Sequence, residues 1–288
     1  MNHASIFRED HLQRCVLVAE VIATLPAVAT QDWCDRAARM LASLREDCIA
    51  SLSIGLFSPA GDLLQLEATG VAWADRSDPP GRYLHTESTR SMGWWLSGDQ
   101  PVLSGVLPPG TDTARTWAAS ASGRRWRELG VDQLAISIGK LTNGSMTSDD
   151  HRCVVLELGV NGLRSEPLGD ADSGALAAVA SPLARRAVLA FGTEPSDPIN
   201  RITPREQVIL EQLALGRTVK QIAELLNRSP HTVHDHVKSL HRKLGATSRG
   251  ELIARALGHI DQGRAAYTVR PSGFRGLVNR PNMQLAAV

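Results

Sequence analysis

The side chains best suited to chemistry lie near the carboxyl end of the chain, along a single predicted helix. From Pro230 to Leu244 aliphatic residues recur at helical spacing and define one apolar face: Val233, Val237, Leu240 and Leu244. The opposite face carries side chains that can reach base edges and phosphates: His231, His234, Asp235, Lys238 and Arg242. Lysine can donate to guanine N7 or O6, and aspartate can accept from cytosine N4. The segment therefore predicts a helix that buries one face and offers the other to a DNA duplex.

Start and stop signals around this segment divide residues 202–258 into four short helices. Three starts combine a capping Ser or Thr with Glu or Gln three residues later, and Pro follows the cap at two of the starts. The signals are Thr203-Pro-Arg-Glu206, Thr218-Val-Lys-Gln221, Ser229-Pro230 and Ser248-Arg-Gly-Glu251. Gly216 and Gly245 stand where a left-handed residue commonly ends a helix. Four capped helices so close together predict a compact bundle whose central pair forms a helix-turn-helix.

The ordered motifs of this region resemble the LuxR-type helix-turn-helix, which also occurs in NarL-like regulators. The resemblance is carried by Thr203-Pro-Arg-Glu206, Ile222-Ala223, Thr232-Val233, His236 and Arg242-Lys-Leu-Gly245. It implies that His234, Asp235 and Lys238 contact DNA bases. It also implies backbone contacts from Lys220, Thr232, Lys243 and Arg249, to which the polar face of the helix adds His231 and Arg242. Family members often have Lys, Arg or Asn where this chain has His234 and Asp235, so the resemblance does not imply a target sequence.

Charge is unevenly distributed along the 288 residues. Residues 1–200 hold 17 Lys and Arg against 24 Asp and Glu, whereas residues 201–258 hold 10 against 5. Residues 259–288 hold 4 against 1 and have no apolar periodicity, which predicts a flexible basic tail. A basic block on an acidic body is typical of a protein that binds nucleic acid at one end.

Residues 31–192 show the mixed pattern of an α/β domain. Apolar residues at helical spacing predict helices over 31–46 and 171–191, the second kinked or split at Pro182. Strands are predicted at Ile49–Phe57, Leu63–Ala72, Gln133–Leu141 and Cys153–Val160, with turns at Ser58-Pro-Ala-Gly61 and Asn143-Gly144. We therefore expect an antiparallel sheet flanked by helices.

The order of helix, hairpin, variable stretch, strands and long helix resembles a GAF domain, a sensor of small molecules or partner proteins. The tract from Ser91 to Leu103 is similar to the helix-then-strand segment of such domains. A PAS-like sensor is the nearest alternative, and Trp73, Asp78-Pro79 and Trp94 suggest an autoinducer-binding domain as a third. Trp94, Trp95 and Trp117 suit core packing as well as a pocket lining, so no ligand-binding residue is assigned.

No set of residues has a catalytic or metal-binding spacing. The sequence contains no nucleophile elbow, P-loop or H-E-x-x-H motif, and it lacks the acidic pair of a phosphoacceptor domain. The four cysteines form no C-x-x-C pair, so we expect buried free thiols rather than a zinc site or disulfides: Cys15, Cys34, Cys48 and Cys153. The chain is therefore not predicted to be an enzyme or to bind a cofactor.

These features predict five regions along the chain. They are an N-terminal helix over 1–30 that could form a dimer, a GAF-like sensor over 31–192, a linker over 193–201, the helix-turn-helix domain over 202–258, and the tail over 259–288. The apolar runs are too short to span a bilayer and no signal peptide is recognised, so a cytoplasmic location without membrane contact is expected.

The leading hypothesis is a transcription regulator that binds double-stranded DNA as a homodimer and senses a small molecule or a partner protein. A dimer is expected because one small bundle makes few phosphate contacts. One alternative treats the first 200 residues as a protein-interaction module without a small ligand. The other treats them as an enzyme fused to a DNA-binding end, for which the sequence offers no acid or base cluster.

Overall fold

The part of the chain that the structure describes forms a five-stranded sheet with its own helices, followed by four C-terminal helices. The computed structural model describes residues 3–57, 63–74, 102–107, 112–141, 151–163, 165–192 and 201–259. The strands are β1 (Ile49–Phe57), β2 (Leu63–Trp73), β3 (Val102–Val106), β4 (Gln133–Lys140) and β5 (His151–Val160). The first helices are α1 (His3–Ala23), α2 (Trp33–Ala42), α3 (Asp112–Ala119), α4 (Ala121–Glu128) and α5 (Asp170–Phe191). The C-terminal helices are α6 (Pro204–Ala214), α7 (Val219–Leu225), α8 (Pro230–Leu244) and α9 (Arg249–Ala256).

The strands form one antiparallel sheet in the order β2-β1-β5-β4-β3. This confirms the predicted fold class of an antiparallel sheet flanked by helices. Strand β1 lies inside the sheet, so that Ser51 is opposite Val71 on β2 and Glu157 on β5. Most residues of β1 and β4 are buried, because both faces of the sheet are covered. This double burial explains why these strands are nearly continuous aliphatic runs instead of alternating ones.

Helices α2 and α5 pack on one face of the sheet, and α1 packs against both helices. Trp33, at the start of α2, is fully buried, and its indole N–H donates to the carbonyl of Pro26 at 2.9 Å. Its ring meets the ring of Phe191 edge-on, with the centroids 5.3 Å apart. Burying a large apolar side chain contributes roughly 2–3 kcal/mol. Trp33 thereby joins the α1–α2 loop to the end of α5.

Helix α5 is continuous over 22 residues although Pro182 lies inside it. The predicted split at Pro182 is wrong, because packing on β3, β4 and α1 compensates for the missing backbone hydrogen bond. Among the described residues, α5 is also the one helix long and apolar enough to cross a membrane. Half of that apolar window is buried inside the protein, including Leu176, Val179 and Leu183. The helix therefore occupies the position of a core helix.

The second face of the sheet carries a separate apolar cluster. Trp126 of α4 packs there against side chains that include Ile49, Val71, Leu134, Ile136, Ile138 and Val155. Helices α3 and α4 were absent from the sequence prediction. Helix α4 was missed because it is mostly polar and has Trp126 as its main apolar anchor. Ser120 begins α4 by accepting a hydrogen bond from the N–H of Gly123 at 3.0 Å.

All four cysteines are buried and free, as the sequence predicts. Burial raises the pKa of Cys48 to about 12 and that of Cys153 to about 12. Their reactive thiolate forms are therefore scarce at neutral pH.

Several predictions fall outside the described residues. They concern the turns at 58–61 and at Asn143-Gly144, the signals at Asp78-Pro79, Trp94 and Trp95, most of the tract from Ser91 to Leu103, the linker over 193–200 and the tail beyond residue 259.

Candidate nucleic-acid interface

Each C-terminal helix begins at the cap that its sequence predicts. Thr203 Oγ1 accepts a hydrogen bond from the N–H of Glu206 at 3.3 Å, and the Glu206 carboxylate accepts one from the N–H of Thr203 at 2.8 Å. Thr218 and Gln221 form the same reciprocal pair at the start of α7. At the other two starts a serine Oγ accepts from the N–H three residues on: Ser229 from Thr232 at 3.1 Å, and Ser248 from Glu251 at 3.2 Å.

A four-residue turn, Leu226 to Ser229, joins α7 to α8 and sets how the two helices cross. Asn227 has a left-handed backbone with φ of 50°, a conformation that Asn tolerates better than most residues. The N–H of Arg228 donates to the carbonyl of Ala223 at 2.9 Å and closes the end of α7. Pro230 then occupies the first position of α8, where its missing N–H costs nothing. The predicted helix-turn-helix is confirmed.

The apolar stripe of α8 packs against the other three helices. Val233, Leu240 and Leu244 are 1%, 0% and 5% exposed, and Val237 is half-buried. Their neighbours include Ile209, Leu213, Ile222, Ala223 and Leu252. This packing fixes the rotation of α8 about its axis, and the opposite edge of the helix is left outside.

The three predicted base-contacting residues, His234, Asp235 and Lys238, are all exposed on this outer edge of α8. His231 lies one turn before Asp235, with 3.0 Å between its Nδ1 and the Asp235 Oδ2. The side chains of this pair are 87% and 55% exposed, and such pairs contribute little to stability. Both side chains can therefore exchange this contact for one with DNA.

The predicted backbone-contacting residues divide into two groups. Lys220, Thr232 and Arg242 are exposed, as His231 is. Lys243 and Arg249 instead bond to the domain itself. The ammonium group of Lys243 lies 2.7 Å from Glu206 Oε2 and 2.8 Å from the carbonyl of Arg201.

Arg249 closes the end of α6 through its Nη2 atom. This atom donates to the carbonyls of Leu213 and Arg217 at 2.9 and 2.8 Å. Both bonds use Nη2, so Nε and Nη1 of this exposed side chain remain able to reach a phosphate. The DNA contacts assigned to Lys243 and Arg249 stay predictions.

Glu206 is the polar centre of the four helices, a role that its cap motif alone does not predict. Its buried carboxylate accepts from Lys243, from the Thr203 N–H and hydroxyl, and from the Ser239 hydroxyl at 2.7 Å. Burial alone would raise the pKa of Glu206, but the hydrogen bonds from Lys243, Thr203 and Ser239 outweigh it and lower the pKa to about 2. Because Lys243 and Ser239 belong to α8, Glu206 ties the start of α6 to the end of α8.

We predict that this carboxylate stabilises the C-terminal helices in a pH-dependent way. Its pKa is lowered on folding, so its contribution is complete above the ordinary carboxyl value of about 4.5 and is lost as the pH falls toward about 2. At pH 7, Glu206→Gln should cost about 1–3 kcal/mol of unfolding free energy, and it should flatten the dependence below pH 4.5.

The measurement is urea unfolding of the full chain followed by helical ellipticity. All six tryptophans lie between Trp33 and Trp126, so fluorescence follows the sheet-containing part alone and identifies its transition. Glu224→Gln is the matched control, because Glu224 is exposed on α7. Equal acid sensitivity in both variants would contradict the role of Glu206.

Comparison with known proteins places the helical domain among bacterial regulators. Residues 200–256 match the family of bacterial regulatory proteins described as the luxR family. Over 66 residues the chain is 46% identical to transcriptional regulatory protein MctR of Rhizobium johnstonii. This alignment covers 23% of this chain and 29% of MctR. Over 59 residues it is 48% identical to nitrate/nitrite response regulator protein NarP of Escherichia coli, and this alignment covers 20% of this chain and 27% of NarP. The chain thus matches less than a third of the length of these relatives.

The solved structure of Escherichia coli SdiA aligns with 88% of this chain and 96% of its own, at 17% identity and a TM-score of 0.32. The family match falls on the four capped helices, as the LuxR-type resemblance predicts. Residues 200–256 therefore form a helix-turn-helix domain of the luxR family of bacterial regulatory proteins.

Proposed function

We propose that this chain is a cytoplasmic, sequence-specific DNA-binding regulator of transcription. The supporting observation is the exposed polar edge of α8 within a luxR-family domain. In this proposal His234, Asp235 and Lys238 read base edges in the major groove. Phosphates are held by Lys220, His231, Thr232 and Arg242, with Lys243 and Arg249 able to join them.

The regulator is proposed to act as a homodimer on two half-sites about one helical turn apart. Three apolar side chains of α1 are exposed in the monomer: Val16 is 57% exposed, Leu17 58% and Val21 42%. Most of the apolar stripe of α5 is buried by contrast, although Leu189 is 41% exposed. The outer face of α1 is therefore the better candidate surface for pairing.

Substitution of individual lysines tests the DNA-binding proposal. Once operator fragments have been recovered by sequencing the genomic DNA that the protein retains, Lys238→Ala should lower operator affinity about 10- to 100-fold and reduce discrimination against altered sites. Lys220→Ala should weaken binding to all sequences alike and reduce the slope of log affinity against log salt by about 1. The measurement is titration of labelled duplexes at several salt concentrations.

Lys140→Ala is the matched control, because Lys140 is the one lysine outside the helical domain. It removes the same charge from β4 and should leave both the affinity and the salt slope unchanged. Retention of full operator affinity by the Lys238→Ala and Lys220→Ala variants would exclude α8 as the DNA-reading helix.

The sheet-containing part is proposed to bind a small effector on its second face. Ser51 and Glu157 lie opposite each other there, since residues at even spacing share the face of Ile49 and Val155. Among the described residues two buried polar atoms of this region have no hydrogen-bond partner, Oε1 of Glu157 and the indole nitrogen of Trp117. Such orphaned groups are costly in a protein core, and a ligand that supplies partners would offset that cost.

Two further observations concern this face of the sheet. Burial raises the pKa of this carboxyl to about 7, although hydrogen bonds from Ser51 and Trp126 partly oppose the rise. The folded state without ligand therefore loses stability as the pH rises from about 4.5 through about 7. A groove of about 520 Å³ also opens at the end of this face, with Ile49, Trp73 and Gly159 among its lining residues.

The effector proposal predicts a ligand that donates a hydrogen bond to Glu157. Small molecules released by denaturing protein purified from its natural host should include one that raises the melting temperature of the ligand-free chain. Glu157→Gln should weaken its binding about tenfold or more, because a neutral amide replaces the carboxylate that the ligand's donor would stabilise. Glu46→Gln is the control, since the Glu46 side chain is 86% exposed. The measurement is mass spectrometry of the released molecules with titration of the stabilising one.

Other outcomes favour a different function for the same part of the chain. If no molecule is released and stabilisation instead follows from a captured protein, the sheet-containing part is an interaction module. An enzyme would convert the released molecule, which a regulator leaves unchanged. The proposed division into N-terminal helix, sensor, linker, helix-turn-helix domain and tail is part of the effector proposal and is tested with it.

A further inference from the structure

An extra residue in β2 begins a chain of contacts that ends at α8. In the β1–β2 register Ile54 is opposite Ala68 and Gly55 is opposite Leu66, so Glu67 has no partner on β1. Such a bulge takes one residue out of the strand ladder and redirects its side chain. The Glu67 carboxylate is fully buried within the protein, and its backbone carbonyl is available to other donors.

Arg152 on β5 binds both oxygens of that carboxylate. Its Nε and Nη2 donate to the two Glu67 oxygens at 2.6 Å each, and neither side chain has exposed area. The remaining terminal nitrogen, Nη1, donates to the carbonyl of Gly192, immediately after α5. The pair thus fixes the bulge relative to the point where the chain leaves the sheet-containing part.

Arg201 connects this pair to the helical domain in two directions. Its Nη2 donates to the carbonyl of Glu67, and its guanidinium lies 5.8 Å from the centre of the Phe191 ring. Its own carbonyl accepts from the ammonium of Lys243 on α8 at 2.8 Å. The next residue, Ile202, forms a parallel bridge with Thr30 and is buried in the core of the four helices together with Val28.

We propose that Arg201 is the positioning residue through which the state of the sheet sets the DNA affinity of α8. The path runs from Arg152 through the Glu67 bulge to Arg201, and from Arg201 to Lys243. Arg201 Nε is buried without a partner among the described residues, and such an unsatisfied donor favours any second arrangement of the junction that would satisfy it. The proposal rests on the proposed DNA-binding function, and it adds a route from the sheet to the helix that carries that function.

Hydrogen exchange of the full chain tests the coupling without DNA. We expect Glu67→Gln to speed amide exchange both around the bulge in β2 and in the last turns of α8, by about fivefold or more. In an Arg201→Met background the same substitution should still affect β2 but no longer affect α8. Arg205→Met is the matched control, since Arg205 is a neighbouring exposed arginine, and in that background the effect on α8 should persist.

Operator titration of the same variants tests the consequence for DNA. Arg201→Met should change operator affinity about fivefold or more, Arg201→Lys should recover part of the change, and Arg205→Met should be neutral at this level. Exchange at α8 that responds to Glu67→Gln equally with and without Arg201 overturns the proposal. It is also overturned if exchange is coupled while operator affinity is the same in all three arginine variants.

If the wild-type chain retains no DNA, the proposed DNA-binding function is refuted. The hydrogen-exchange experiment uses no DNA and therefore still decides whether the sheet and α8 are coupled. Tryptophan fluorescence shows whether Glu67→Gln unfolds the sheet-containing part. If it does, the exchange experiment is done with the Arg201→Met variant in place of the Glu67→Gln variant. Exchange must then rise at both the β2 bulge and the end of α8 for the coupling to stand, and a rise at one site only refutes it.

Discussion

The structure of the proposed DNA-reading surface depends on the burial of one aliphatic stripe along α8. Val233, Leu240 and Leu244 are almost completely removed from solvent, and exposing each of them would cost about 1.5–3 kcal/mol. The helix therefore has one rotational setting in the bundle. Because the stripe and the polar edge lie on opposite sides of the same helix, burial of the stripe is what places Lys238 and His234 outside.

The caps and the buried polar contacts give that setting its precision. Ser229 and Gly245 define the ends of α8, and the bonds of Glu206 to Lys243 and Ser239 fix its last two turns against α6. A buried ion pair of this kind contributes less to net stability than its short distances suggest, because both groups lose hydration. Its greater value is geometric, since it permits one arrangement of α6 and α8.

The two faces of the sheet have different roles in this account. One face is filled by α2 and α5 and supports the folded state. The other includes Glu157, a carboxyl that a purely structural core has no reason to bury without full hydrogen bonding. The Glu67 bulge lies on the strand that forms the sheet edge beyond β1, where an extra residue disturbs only one ladder. A signal that begins on the sheet and ends at Lys243 thus needs few intermediate residues.

Local rules predicted much of the fold and part of the site. Capping boxes and helical periodicity gave the four C-terminal helices, and the aliphatic run of Ile49–Phe57 gave β1 with its bounds. Helices α3 and α4 escaped prediction because α4 is polar apart from Trp126 and lacks an apolar stripe. The pair of Glu67 and Arg152 joins residues 85 positions apart, and no local pattern indicates such a contact. Lys243 was predicted to contact the DNA backbone from its position in the motif. That position gives no sign of the buried Glu206 beside it.

Methylation interference on a recovered operator tests the central claim most directly, because methylation at guanine N7 obstructs the major groove alone. The account predicts that methylated guanines block binding in two clusters about one helical turn apart, and that the Lys238→Ala variant loses sensitivity at one guanine in each cluster. Interference confined to adenine N3 in the minor groove, or a pattern identical in the Lys238→Ala variant, would contradict it.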